Sequence, residues 1–159
     1  MHRAVLLGAV LAFMAAGSAV ACPDPSAAPS GRSISLTENF PDDPHTVNAA
    51  AGGAYSLAEC GFGVTGWVAA APDFVLSYST SGGLPLTIAV NSSADTVILV
   101  LAPDGQFYFD ADGAPDLGLA AGALVFFPRP MAGQYRIWIG SAAEARGLPA
   151  TLTITELLS

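Results

Sequence analysis

Apolar residues in this chain recur in short alternating runs, and each run is closed by a Gly, Pro or Asp turn. That punctuation favours short strands over long helices, because alternation places every second side chain on one face of a strand. Ser33 to Thr37 reads as a first strand. Val47 begins a second, and Ala54 to Leu57 is a short third running to Cys60. Val64 to Ala69 carries Trp67. Asp73 to Ser79 sets Phe74, Leu76 and Tyr78 on one face, and Leu86 to Asn91 sets Leu86, Ile88 and Val90 inward. Asp95 to Leu101 is almost continuously apolar, as expected of a central strand covered on both faces. Pro103-Asp104-Gly105 is a tight turn, from which Gln106 to Phe109 returns as a hairpin partner. Ala123 to Phe127 follows. Gly133 to Gly140 puts Tyr135, Ile137 and Ile139 on one side, and Ala150 to Thr155 places Leu152 and Ile154 inward. Only Ser141 to Arg146 offers a single helical turn. The fold class expected is all-β, a small antiparallel β-sandwich of jelly-roll type.

At 159 residues the chain is long enough for one domain behind a leader. Hydrophobic residues make up 52% and charged residues 11%, a balance that supports a core and excludes a disordered tail. The basic residues are all Arg, five of them, against 13 acids, for a formal charge of -8. Nucleic-acid binding needs a basic footprint that this composition lacks, and docking on anionic lipid is disfavoured for the same reason.

Residues 1–21 read as a cleaved signal peptide. His2 and Arg3 give a positive start, an apolar stretch runs from Ala4 to about Ala16, and Ala19-Val20-Ala21 supplies the small-x-small cleavage pattern. The apolar run is too short for a comfortable membrane span, so no transmembrane segment is expected in the mature form. Residues 22–32 read as an irregular lead-in and 33–159 as the sandwich domain. Export, to the periplasm or outside the cell, delivers Cys22 and Cys60 to an oxidising compartment. Two fates compete for Cys22. It follows small residues as a lipidated cysteine does, although Ala19 stands where lipoprotein leaders usually carry a bulky aliphatic. Alternatively it pairs with Cys60 and pins the mature N-terminus to the domain. The two fates exclude one another.

Two groups of residues are candidate sites. Asp110-Ala111-Asp112-Gly113-Ala114-Pro115-Asp116 alternates carboxylates around a glycine. Such a loop can wrap oxygen ligands around Ca²⁺, which takes six to eight of them, with Asp104 from the neighbouring hairpin completing the shell. Its opening resembles that of an EF-hand loop, without the bidentate Glu or the flanking helices. The competing reading is an acidic turn whose Asp side chains bond local amides. No His-Cys cluster suits a transition metal. The second group is Trp138 with Arg136, which project opposite to Tyr135. If Tyr135 faces the core, they form a binding anchor for a protein or carbohydrate ligand. The competing reading buries Trp138 on a second covered face. Trp67 and Phe62 are expected to bury around the cysteines.

The second half resembles the bacterial pre-peptidase C-terminal domain, a small β-sandwich. The matching residues are Asp95 to Gly105, the acidic loop from Asp110, Gly133 to Gly140 and Thr151 to Thr155, about half of the mature chain. The whole mature chain is also similar to short exported proteobacterial proteins loosely labelled peptidases. That resemblance rests on Cys-Pro-Asp at Cys22, Ala-Gly-Gly at Ala51, the cysteine at Cys60 and Ala-Pro-Asp-Phe at Ala71. It implies an accessory module standing without a catalytic domain.

Catalysis finds little support in the residues. A serine-protease triad needs a Ser, a His and an acid, and the mature chain holds one histidine, His45, in an Asp-Asp-Pro-His turn. No Gly-x-Ser-x-Gly elbow is present. The reading is therefore an exported, non-catalytic binding or accessory module of the cell envelope, with Ca²⁺ as the one cofactor to consider. The alternatives are a structural or self-associating envelope protein and a serine-peptidase-like hydrolase.

Overall fold

The computed structural model describes residues 22–111 and 122–157. The expected leader, Asp112 and Asp116 lie outside the described residues. The strands are β1 (Ser33–Thr37), β2 (His45–Ala51), β3 (Tyr55–Ser56), β4 (Trp67–Val68), β5 (Phe74–Ser79), β6 (Leu86–Ser92), β7 (Thr96–Leu101), β8 (Phe107–Asp110), β9 (Ala123–Phe127), β10 (Gly133–Ser141) and β11 (Leu148–Thr155). The expected helical turn after Ser141 is instead a series of bends, closed by the Ser141 hydroxyl donating to the Ala143 carbonyl at 2.6 Å. With no helix among the described residues, the fold is all-β, as the alternation predicts.

Two sheets stack face to face. One runs β2-β11-β6-β9, antiparallel throughout. The other is built around β10, the longest strand. One edge of β10 carries β7 and then β8, and its other edge carries β5 and then β1. Where the β5 pairing stops at Ile137, the same edge picks up β4 at Ser141, and β4 pairs with β3. One pairing departs from an antiparallel sandwich: β1 runs parallel to β5. A parallel pair needs a long crossover rather than a hairpin, and the chain supplies one by passing through β2, β3 and β4 before returning as β5.

Alternation fixes which face each strand buries. Leu76 and Tyr78 of β5, Tyr135, Ile137 and Ile139 of β10, and Ile98 and Val100 of β7 meet Leu86, Ile88 and Val90 of β6 and Leu152 and Ile154 of β11 between the sheets. Phe127 lies edge-on to Tyr135, with centroids 5.2 Å apart, and Tyr108 edge-on to Phe127 at 5.0 Å.

The opposite face of the β10 sheet is covered as well. Leu57 and Val68 fold over Val97, Leu99 and Trp138 in a second apolar cluster, with Phe62, Val64 and Phe109 packed around it. The covering segment is a compact loop: Leu57 N–H donates to the Gly66 carbonyl at 2.9 Å and Phe62 N–H to the Leu57 carbonyl at 3.1 Å. Close approach of backbones demands glycine at two places beneath it. A Cβ on Gly53 would fall 1.8 Å from the Val68 backbone, and one on Gly140 would meet the Trp67 carbonyl at 2.6 Å.

A Cys22–Cys60 disulfide, 38 residues apart in sequence, staples this layer to the segment that leads into β1. Constraining a loop of that length stabilises the fold by about 4 kcal/mol on the chain-entropy account. Burying Leu57 and Val68 contributes roughly 3–6 kcal/mol together. The covalent and apolar contributions are thus comparable. Replacing both cysteines by Ser should lower unfolding free energy by about 4 kcal/mol, and Leu57→Ala by roughly 2–5 kcal/mol. Urea denaturation of each variant measures this, and an unchanged midpoint in either would show that its contribution to holding the layer is absent.

Candidate functional site

Strand alternation sets Trp138 on the side of β10 opposite Tyr135, as the sequence indicates, but the second apolar layer closes over it. Trp138 is 0% exposed, and its indole N–H donates to the Ala70 carbonyl at 3.3 Å. It therefore cannot serve as an exposed anchor. The ring that reaches solvent nearby is Phe107, 40% exposed, which lies 6.1 Å from the Trp138 ring and edge-on to Phe62 at 5.0 Å. Trp67 and Phe62 are half-buried rather than sealed. Arg136 pairs in register with Val75 and Leu101 and is half-buried, with its guanidinium 3.5 Å from the Gln134 side-chain oxygen.

Among the described residues, Asp104 and Asp110 bind different partners. Asp104 sits in the turn before β8, where its carboxylate accepts from Gln106 N–H at 2.9 Å and from the Tyr108 hydroxyl at 2.7 Å. The Tyr108 hydroxyl and the Gln106 amide hold the Asp104 carboxyl below its usual range. Asp110 stands at the far end of β8, paired with Ile98. Both Asp104 carboxylate oxygens are thus engaged within its own turn and hairpin. The Asp110 carboxylate meanwhile accepts from Leu124 N–H at 2.9 Å, tying β8 to β9 across the open edge of the sandwich.

Other carboxylates also bind backbone. Glu38 accepts from the Ser81 hydroxyl and N–H and from the amides of Gly83 and Leu84, and the Ser81 bonds foremost hold its carboxyl down at about 2. Glu156, 7% exposed, accepts from the Tyr78 hydroxyl and from Asn39 N–H at 2.9 Å, while its own N–H donates to Asp43 at 3.0 Å. Burial first, then the bond to Glu156, pushes the Tyr78 hydroxyl well above the ordinary range, so it remains a neutral donor. Asp43 keeps one buried oxygen without a hydrogen-bond partner. His45 opens β2 opposite Ile154 and is half-buried.

The sequence reading placed Asp73 at the head of the Asp73 to Ser79 run and gave it no site role. It stands where β5 begins. Its N–H donates to the Ile137 carbonyl at 2.8 Å, and its carboxylate takes Ile139 N–H at 2.7 Å, substituting for a strand partner on β10. The other carboxylate oxygen is 3.3 Å from the Ser30 hydroxyl. Burial pushes the carboxyl up from 3.8 to about 6, with the Ile139 amide and the Ser30 hydroxyl partly offsetting it. Asp73 lines an open cavity of about 380 Å³ with Ser30, Gly31, Asn48, Ala49, Ala50 and Phe74. Its signal in the sequence is faint: an acid placed directly before an inward-facing aromatic strand.

Among the described residues no three His, Cys, Asp or Glu side chains gather as a metal site, and no helix is long and apolar enough to cross a membrane. No family model and no curated protein matches the sequence. Among solved structures, the chain is similar to the pre-peptidase C-terminal domain of a Bacillus anthracis collagenase, at 8% identity over 79% of this chain and 96% of that one, with a TM-score of 0.46. It is also similar to Aeromonas hydrophila PliG, a periplasmic inhibitor of g-type lysozyme, at 12% identity over 79% and 98% of the two chains, with a TM-score of 0.35. Both TM-scores lie below 0.5, so the functional reading rests on this chain's own residues.

The raised Asp73 pKa links folding to pH. Between 3.8 and about 6 the folded protein holds a proton that the unfolded chain releases, so this group's stabilisation is lost as pH rises through that window. Glu38 acts with the opposite sign, below about 4.5. From about pH 4.5 to about pH 7 the Asp73 contribution should fall by about 2 kcal/mol. Asp73→Asn, which retains an acceptor for Ile139 N–H, should remove that slope. Urea unfolding of both proteins across the window tests it, and parallel pH profiles would contradict it.

Proposed function

We propose that the protein is an exported, non-catalytic β-sandwich that acts by binding at the cell envelope. One observation carries the reading: five carboxylates among the described residues serve as acceptors for the fold itself. Glu38 holds the 81–84 turn, Asp73 the β10 edge, Asp104 its own hairpin, Asp110 the β8–β9 junction and Glu156 the Asn39 turn. General acid–base catalysis needs a group free to exchange its proton with substrate at hydrogen-bond distance. Export is supported by the Cys22–Cys60 disulfide, which forms and persists in an oxidising compartment. That same bond occupies the sulfur a lipid anchor would need.

The oxidised protein, assayed on ester, peptide and glycoside substrates, should show no turnover that His45→Ala or Asp73→Asn removes. Turnover abolished by either variant would overturn the binding reading in favour of a hydrolase.

Within this reading the acidic segment carrying Asp110, Asp112 and Asp116 is a proposed Ca²⁺ site. Binding to the native state must raise the unfolding midpoint by mass action. Thermal unfolding with Ca²⁺ and with a chelator should show a higher midpoint with the ion, and Asp112→Ala should abolish the rise. An unmoved midpoint would remove calcium and leave the binding module.

A further inference from the structure

We propose that the cavity beside Asp73 is a binding site for an organic cation, an ammonium or guanidinium group at the end of a short methylene arm. This deepens the binding reading and rests on it, by giving the module a site and a ligand chemistry.

The cavity lies where Ser30 and Gly31 just before β1, Asn48 to Ala50 of β2, and Asp73 and Phe74 at the start of β5 come together around a volume of about 380 Å³. Just beyond it the end of β2 reaches β10, with Gly52 N–H donating to the Ile139 carbonyl at 3.0 Å. Its lining combines the apolar Ala49, Ala50 and Phe74, suited to the methylene stem of a long cationic side chain, with the polar Ser30, Asn48 and Asp73.

Asp73 supplies the charge. One oxygen is fixed by Ile139 N–H at 2.7 Å, which locks the side-chain orientation. The other meets only the weak contact to the Ser30 hydroxyl, at 3.3 Å, and keeps lone pairs for a donor entering the cavity. A mostly buried carboxylate is stabilised most by a cation placed against it. Among the described residues, none lining the cavity is a cation. From the lead-in, Ser30 and Gly31 face the carboxylate; from β2, Asn48, Ala49 and Ala50; from β5, Phe74; and from β10, the Ile139 amide, all uncharged. The carboxyl pKa of about 6 is that of a buried acid awaiting a counter-charge. A cation bound there would lower it and restore the charged form. The net charge of -8 draws cations toward the protein generally. The cavity then selects those with a donor head and an apolar stem.

The ligand chemistry has two sources, a free amine or an Arg or Lys side chain of an exported partner. Nitrogen-15 NMR of the oxidised protein separates them, with agmatine as the free cation and a blocked Gly-Arg-Gly tripeptide as the side chain. At about pH 7.5 the amides of Gly31, Ala49, Asp73 and Ile139 should shift saturably with a charged probe. Affinity should fall roughly tenfold or more at about pH 4.5, where the carboxyl is protonated. A Gly-Gln-Gly tripeptide should leave these amides unmoved, Asp73→Asn should abolish binding, and Asn48→Asp, adding a second carboxylate to the lining, should tighten it. Tighter binding of the tripeptide assigns the site to a protein partner, and tighter binding of agmatine to a small amine. No saturable shift at these amides in the native protein, or the same shifts in Asp73→Asn, would overturn the proposal. If Asp73→Asn fails to fold, Asn48→Asp decides: unchanged affinity there would equally overturn it. Absence of binding without hydrolytic turnover removes this site alone, whereas turnover lost in Asp73→Asn removes the binding reading itself.

Discussion

Strand β10 is apolar on both faces, and that constraint organises the protein. Tyr135, Ile137 and Ile139 require one cover, and Trp138 with the facing Leu99 and Val97 requires another. The four-stranded sheet provides the first. The second comes from the excursion through Leu57, Phe62, Val64 and Val68, which is held by its own burial and by the Cys22–Cys60 staple. Both edges of β10 are also occupied along most of its length, so its backbone is satisfied by β5, β7 and β4, and by Asp73 where β5 has ended.

The polar residues follow from the same constraint. An antiparallel sandwich has edges, turns and crossovers whose amides lack strand partners, and buried amides must find acceptors. This chain supplies carboxylates. Glu38, Asp73, Asp104, Asp110 and Glu156 each take a backbone N–H at an edge or turn. An acid-rich composition thus has a structural use beyond solubility, and it leaves chemistry only where a carboxylate oxygen remains incompletely satisfied. Asp73 meets that condition beside a cavity. Asp43 meets it too, with its other oxygen accepting from Glu156 N–H.

Much of the sandwich was legible in the sequence because alternation is local. Ser33 to Thr37 and Ala123 to Phe127 are strands with the bounds expected, and the inward sets of β5, β6, β10 and β11 were set by their periodicity. The continuous apolar run of β7 correctly signalled cover on both sides. What covers a face, however, is decided at long range. Trp138 is buried by residues some seventy positions earlier, and no local pattern distinguishes its sealed position from an exposed one. The parallel pairing of β1 with β5 and the shortness of β4 depend likewise on where distant strands end. Asp73 was invisible for the same reason: its role exists only because β5 stops pairing at Ile137. Asp104 was read in the hairpin neighbouring the Asp110 loop, and it lies in the turn before β8 while Asp110 ends that strand.

The most direct test of this account is the solvent access of Trp138, since a doubly covered β10 requires it to be sealed. The chain has two tryptophans, so Trp67→Phe leaves Trp138 as the sole reporter in the oxidised protein. The account predicts weak quenching by acrylamide, rising sharply when the disulfide is reduced and the outer layer loosens. Quenching near that of free tryptophan in the oxidised protein would contradict it, and would return Trp138 to the surface as a binding residue.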